Sequence, residues 1–201
     1  MCDHRGCGSE HSHQDESSDL GVQYSLFRNI DLEKVTCLNE ETEGSGKTVF
    51  KPWDERSDRT KFVRSDVDEE LLLNIPFTGT VKLKGIVLIG GELGSHPNIM
   101  RLYKDRPLLT FDDVSTPPDQ AFELTRDEEG TVEYGVKVLP SSIHFPSNMG
   151  HADSTKVYYI GLRGEFQGVT RREAVICTYE ARPVPQDHKG ELPQGASHGV
   201  C

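Results

Sequence analysis

Apolar residues fall along this chain in short runs rather than at helical spacing. Val81-Lys82-Leu83-Lys84 alternates apolar and polar, then passes through Gly85 into the unbroken run Ile86–Ile89, closed by Gly90-Gly91. Alternation marks a strand buried on one face, and a short unbroken run marks one covered on both. The same signs predict strands at Leu71–Ile75, Ile99–Tyr103, Ala121–Leu124, Val132–Val138, Lys156–Leu162 and Glu173–Tyr179. Turn chemistry separates them: Ser95-His96-Pro97-Asn98, Ser115-Thr116-Pro117-Pro118-Asp119, Asp127-Glu128-Glu129-Gly130 and Gly164. The best helical candidate, Asp66–Leu72 behind an N-cap-like Ser65, meets Asn74 and Pro76 too soon to run on. Many short strands at modest spacing predict an all-β fold, a sandwich or barrel.

Two ends and one internal stretch depart from this pattern. Residues 1–19 hold Cys2, Cys7, His4, His11 and His13 among Gly, Ser and acids, too polar to offset their ordering entropy. Residues 184–201, rich in Pro and Gly, are likewise expected to form a flexible tail, leaving 20–183 as the folded domain. Lys47–Arg64 carries many basic residues, Pro52 and the single tryptophan, Trp53, with few apolar neighbours. It reads as a long structured loop, the kind of insertion that carries recognition.

Charge narrows the function classes. The 201 residues include 22 Lys+Arg against 33 Asp+Glu, a net charge of -11, which argues against direct nucleic-acid binding and against a polybasic membrane patch. No apolar stretch reaches the roughly 18 residues of a membrane span, and the polar start predicts no secretory leader. Five cysteines, scattered and never spaced C-x-x-C, fit a reducing cytosol better than a disulfide framework. Cys37 and Cys177 lie in apolar runs and are expected to be buried and inert.

Motif by motif, the chemistry is sparse. Gly44-Ser45-Gly46-Lys47-Thr48 imitates the end of a phosphate-binding loop, but Glu41 stands where that motif needs its first glycine, and Pro52 interrupts any following helix. It reads as a Gly/Ser loop. Cys2-Asp3-His4 could bind Cu(II) or Ni(II) were its amine free, an incidental affinity of the tail, so no metal site is assigned. His198 and Cys201 in the other tail could ligate a metal held by a partner. The run Asp66, Asp68, Glu69 and Glu70 lacks the spacing of a calcium loop and reads as an acidic face. No nucleophile elbow or H-E-x-x-H pattern is present, so neither catalysis nor a cofactor is expected. Trp53 is either an interface anchor or a cover over one end of the sandwich.

Several stretches together resemble the PITH domain, the proteasome-interacting domain also found at the C-terminus of a thioredoxin-like protein. They are Cys37-Leu38-Asn39-Glu40, Ser65–Leu72, Ile75-Pro76-Phe77, Val81-Lys82-Leu83, Thr155-Lys156-Val157 and Ile160-Gly161-Leu162-Arg163-Gly164. Phe50-Lys51-Pro52-Trp53-Asp54-Glu55-Arg56 and the His-containing start resemble the stand-alone animal members. The resemblance implies a jelly-roll β-sandwich of the galactose-binding-like type. It further implies association with the 26S proteasome, a location in the cytoplasm and nucleus, and no enzymatic activity; the regulatory particle is the expected contact and a monomer the expected state, with the oligomeric state itself left open by the sequence. Regulation of gene expression through protein partners is the alternative, and sugar binding, by analogy of fold, a more distant one. The partner-binding residues expected are Trp53, Arg56 and Arg59 in the basic loop, Asp66, Asp68, Glu69 and Glu70 in the acidic run, and His198 and Cys201 in the tail. Against the family pattern, Leu139-Pro140-Ser141 leaves the region after Val138 short, and a locally weakened sheet is expected there.

Overall fold

The computed structural model describes residues 24–168 as two antiparallel sheets packed face to face. In chain order the strands are β1 (Thr36–Leu38), β2 (Val63–Arg64), β3 (Leu71–Asn74), β4 (Thr80–Gly90), β5 (Ile99–Lys104), β6 (Gln120–Glu123), β7 (Glu133–Gly135), β8 (Pro140–Phe145) and β9 (Lys156–Gly168). One sheet runs β1-β3-β8-β5-β6 and the other β2-β9-β4-β7. Alternation does what the pattern requires. Leu71, Leu73, Met100, Leu102, Ile143 and Phe145 from the first sheet meet Val63, Leu83, Ile86, Leu88, Val157, Ile160 and Leu162 from the second, all buried in one core.

Residues of opposite parity face outward, and in each sheet a loop covers part of them. Leu72 and Tyr103 lie under Leu109, with Phe111 and Val114 packed beside them. Asn74 ties that cover down: its side-chain oxygen accepts from Ser142 Oγ (2.7 Å) and from the Leu109 amide (3.1 Å). On the other sheet Val87, Ile89, Tyr158 and Tyr159 lie under Trp53 and Phe62. Register slips where Ile89 faces Tyr159 but Gly90 faces Val157, leaving Tyr158 as the extra residue of a bulge, so that both tyrosines join this outer cluster.

Several expectations are corrected. Val132–Val138 shrinks to β7, while Val81–Ile89 lies within the single strand β4, with a register slip between Leu83 and Gly85. The sheet is not broken near Pro140. That proline is the first residue of β8, the central strand of its sheet, opposite a register shift between Tyr103 and Lys104. Its missing N–H therefore falls where the ladder is already irregular. Beside it Ser141 is well tied, accepting from the Ile75 amide (2.8 Å) and donating to Tyr103 O (3.1 Å). Glu173–Tyr179 and Cys177 lie outside the described residues, as do the two tails.

Candidate functional site

The acidic run occupies the loop from β2 to β3, and Asn39 is its frame. Asn39 adopts a left-handed backbone (φ 65°), which asparagine tolerates better than most residues. Its amide nitrogen donates to Asp68 Oδ1 (2.7 Å) and to Glu70 O (2.7 Å), and its side-chain oxygen accepts from the Val67 amide (3.0 Å). Thr155 Oγ1 donates to Glu69 O (2.6 Å) from the far side. The loop is thus held from within, while Asp66, Val67 and Asp68 are exposed and Glu69 half-buried. No cation among the described residues forms an ion pair with Asp66, Asp68 or Glu69. Glu70 turns inward, its carboxyl 3.9 Å from the ring of the buried His144; burial, with help from Asp68, pushes its pKa up.

The basic loop is spent differently. Trp53 packs edge-on against Tyr159, with the guanidinium of Arg56 4.2 Å and that of Arg163 4.6 Å from its ring centroid. Arg56 also donates to Trp53 O (3.1 Å) and Glu129 O (3.3 Å). Arg59 stacks over Tyr158 and donates to Glu92 (2.9 Å) and to Glu128 O (3.1 Å). Glu92 accepts from the Tyr158 hydroxyl as well, which holds its carboxyl below the ordinary range. Lys51 is buried inside the loop, donating to Asp58 O (2.6 Å) and Lys61 O (3.2 Å). Trp53, Arg56 and Arg59 therefore serve to fasten the loop to the sheet. Trp53 covers the sheet's outer face rather than an end of the sandwich.

A cleft of about 360 Å³ remains beside the indole, lined by Arg56, Val87, Thr131, Glu133 and Arg163 among others. Arg163 is already committed to Glu133 (2.9 Å), and its Nε is buried without a hydrogen-bond partner. Burial pushes the Tyr159 phenol up to about 12, against the pull of Arg163 and Arg56.

The Gly/Ser loop does wrap an anion, but its own. Glu40 accepts from the amides of Gly44 (2.6 Å) and Gly46 (2.6 Å) and from Ser45 Oγ (3.1 Å). The cradle a phosphate would need is filled. Gly46 also sits so close that a Cβ there would lie 2.3 Å from that of Cys37. Burial pushes the Cys37 thiol well up, the condition of an inert cysteine. Among the described residues no three His, Cys, Asp or Glu side chains converge to hold a metal.

His198 and Cys201 lie outside the described residues, as do Cys2-Asp3-His4. Sequence reading missed Asn39 as the frame of the acidic loop; Asn at the end of an apolar run, facing an acidic turn far along the chain, carried no local sign of it. It also missed Leu93, which is exposed with a left-handed backbone.

Two packed antiparallel sheets give the chain a jelly-roll β-sandwich fold of the galactose-binding-like type. A solved structure of the CBM32-1 and CBM32-2 domains of Clostridium perfringens ZmpB in complex with GalNAc superposes with a TM-score of 0.51 at 11% identity. The alignment covers 76% of this chain and 39% of that one. The sequence profile of the PITH domain matches residues 16–183, and this chain belongs to the PITH domain family. PITH domain-containing protein 1 of Homo sapiens is 53% identical over 190 residues, 92% of this chain and 90% of the relative. A PITH domain-containing protein of Caenorhabditis elegans is 46% identical over 209 residues, the whole of both chains. The family is named for a domain and not for a reaction.

Proposed function

We propose that this chain is a non-catalytic interaction module of the cytoplasm and nucleus whose partner is the 26S proteasome. The observation that carries the reading is the acidic loop: a fixed frame that turns Asp66, Val67 and Asp68 to solvent, with no cation among the described residues paired to the two carboxylates. Pre-ordered carboxylates of this kind lose little entropy on binding and steer a basic surface toward them. The resemblance in sequence supports the proteasome as the bearer of that surface. A sugar-binding reading would need Trp53 as a stacking platform, and its ring is instead engaged by Arg56 and Arg163.

The test is sedimentation of the purified chain with purified 26S proteasome on a low-salt glycerol gradient, following peptidase activity. Wild type is expected in the proteasome fractions, and Asp66→Lys with Glu69→Lys, which break no side-chain hydrogen bond of the loop, is expected to shift it toward monomer size. Wild type remaining at monomer size would sink the reading.

A further inference from the structure

Three loops meet at one end of the sandwich. β2 and β4 end there and β3 and β9 begin there, as the pairings Arg64 with Lys156, Gly90 with Val157 and Leu71 with Phe145 require. The loops are sewn together through Thr155 and Lys156. Ser65 N donates to Thr155 O (2.9 Å), Thr155 N to Ser65 Oγ (2.9 Å), Gly91 N to Lys156 O (2.7 Å) and Lys156 N to Ser95 O (2.8 Å).

At the tip, Gly94 and Gly150 stand back to back. Gly150 N donates to Gly94 O (2.9 Å), and a Cβ on Gly94 would lie 2.7 Å from the Cα of Gly150. Flanking this lock, Leu93 (φ 52°) and His151 (φ 50°) both hold the left-handed backbone, which disfavours residues with a side chain. Ser95 N closes the Leu93 turn onto Glu92 O (3.1 Å), and Gly94 too has positive φ (90°). That turn favours Asn-Gly. Here it carries leucine, 94% exposed, and Val67 on the neighbouring loop is 84% exposed. Folding gains nothing from either exposure and loses from the Leu93 backbone. Leu108, also exposed and left-handed, is accounted for by its neighbour: its turn brings the Leu109 amide onto Asn74 at the other outer face.

We propose that Leu93 and Val67 are the apolar anchors of the docking face, inserting into an apolar pocket rimmed by basic side chains on the partner. This rests on the interaction-module reading and deepens it. The basic rim follows from Asp66, Asp68 and Glu69 standing beside Val67, and rigid loops with a central apolar contact and a charged surround are how specific interfaces are built.

The experiment is titration of labelled chain with purified 26S proteasome, alongside melting curves. Leu93→Asn supplies the residue the turn prefers, so its melting temperature is expected to equal or exceed wild type while affinity falls about tenfold or more. Val67→Asn is expected to weaken binding similarly and Leu108→Asn to leave it unchanged. Wild-type affinity should also fall as salt rises. Leu93→Asn and Val67→Asn binding as wild type does, with wild type bound, would overturn the anchors and leave the module reading standing. Salt-insensitive binding would overturn the basic rim. Failure of wild type to bind would overturn both readings. Self-association of wild type that Leu93→Asn abolishes would make the occupant a second copy of the chain, and would likewise overturn the proposal.

Discussion

His144 is the penultimate residue of β8, the central strand of its sheet, wholly buried, with neither ring nitrogen hydrogen-bonded. Burial, with the charge of Arg101 alongside, pulls its pKa down to about 4 from an ordinary value near 6.5. The native state therefore holds fewer protons than the unfolded chain between those two values. Its stabilising share is complete above pH 6.5 and drains away as pH falls toward 4, about 3 kcal/mol across the window. Glu70, whose raised pKa acts in the opposite sense, is common to both proteins when wild type is compared with His144→Met. Urea unfolding at pH 7.5 and 5 should show a smaller loss for the variant. At Asn39, replacement by alanine removes the frame's hydrogen bonds and leaves a Cβ in the left-handed region, costing about 2 kcal/mol or more. Asn39→Gly keeps the backbone without strain and should be milder by about 1 kcal/mol. An equal loss from the two would remove the strain from this account.

At the scale of elements, alternation or a short apolar run made β3, β4, β5 and β9 legible, because each places several apolar residues in one core. The two- and three-residue strands β1 and β2 were not, since so few positions carry no period. β8 was hidden by Pro140 and by Ser141, Ser142 and His144, polar residues that a sheet accepts only once Asn74, Arg106 and Tyr103 arrive to pair with the serines. The acidic run was visible as charge; its frame was not, because Asn39 lies 29 residues from Asp68. Leu93 shows the limit in another way: a hydrophobic residue in sequence says core, and only its backbone conformation and exposure say otherwise. Of the two readings of Trp53, anchor or cover, the structure shows it covering a sheet face that sequence could not show to be bare. Trp53→Ala is accordingly expected to lower stability by about 2 kcal/mol, under the 3–5 of a fully buried aromatic because the indole is half-exposed. Unfolding curves at neutral pH test this, and an unchanged midpoint would return Trp53 to the surface.

Over the whole molecule, both sheets have their outer faces partly roofed, one by Trp53 and Phe62, the other by Leu109, Phe111 and Val114. Among the described residues the loop end is a place where exposed apolar and acidic groups, Leu93 and Val67 with Asp66 and Asp68, meet solvent together, on a chain of net charge -11. Lys51, meanwhile, closes its loop from inside by binding the carbonyls of Asp58 and Lys61. To a trypsin-like protease, a stretch so dense in lysine and arginine is an invitation, and in an open linker it would be cut first. Cleavage needs the backbone drawn out into the enzyme, and here that means peeling Trp53 from Tyr159, the two guanidiniums from Trp53 and Tyr158, and an ammonium from its carbonyl cage. Lys47–Arg64 should survive digestion for as long as the sandwich itself, and Trp53→Ala should open it to the enzyme well before the rest unfolds.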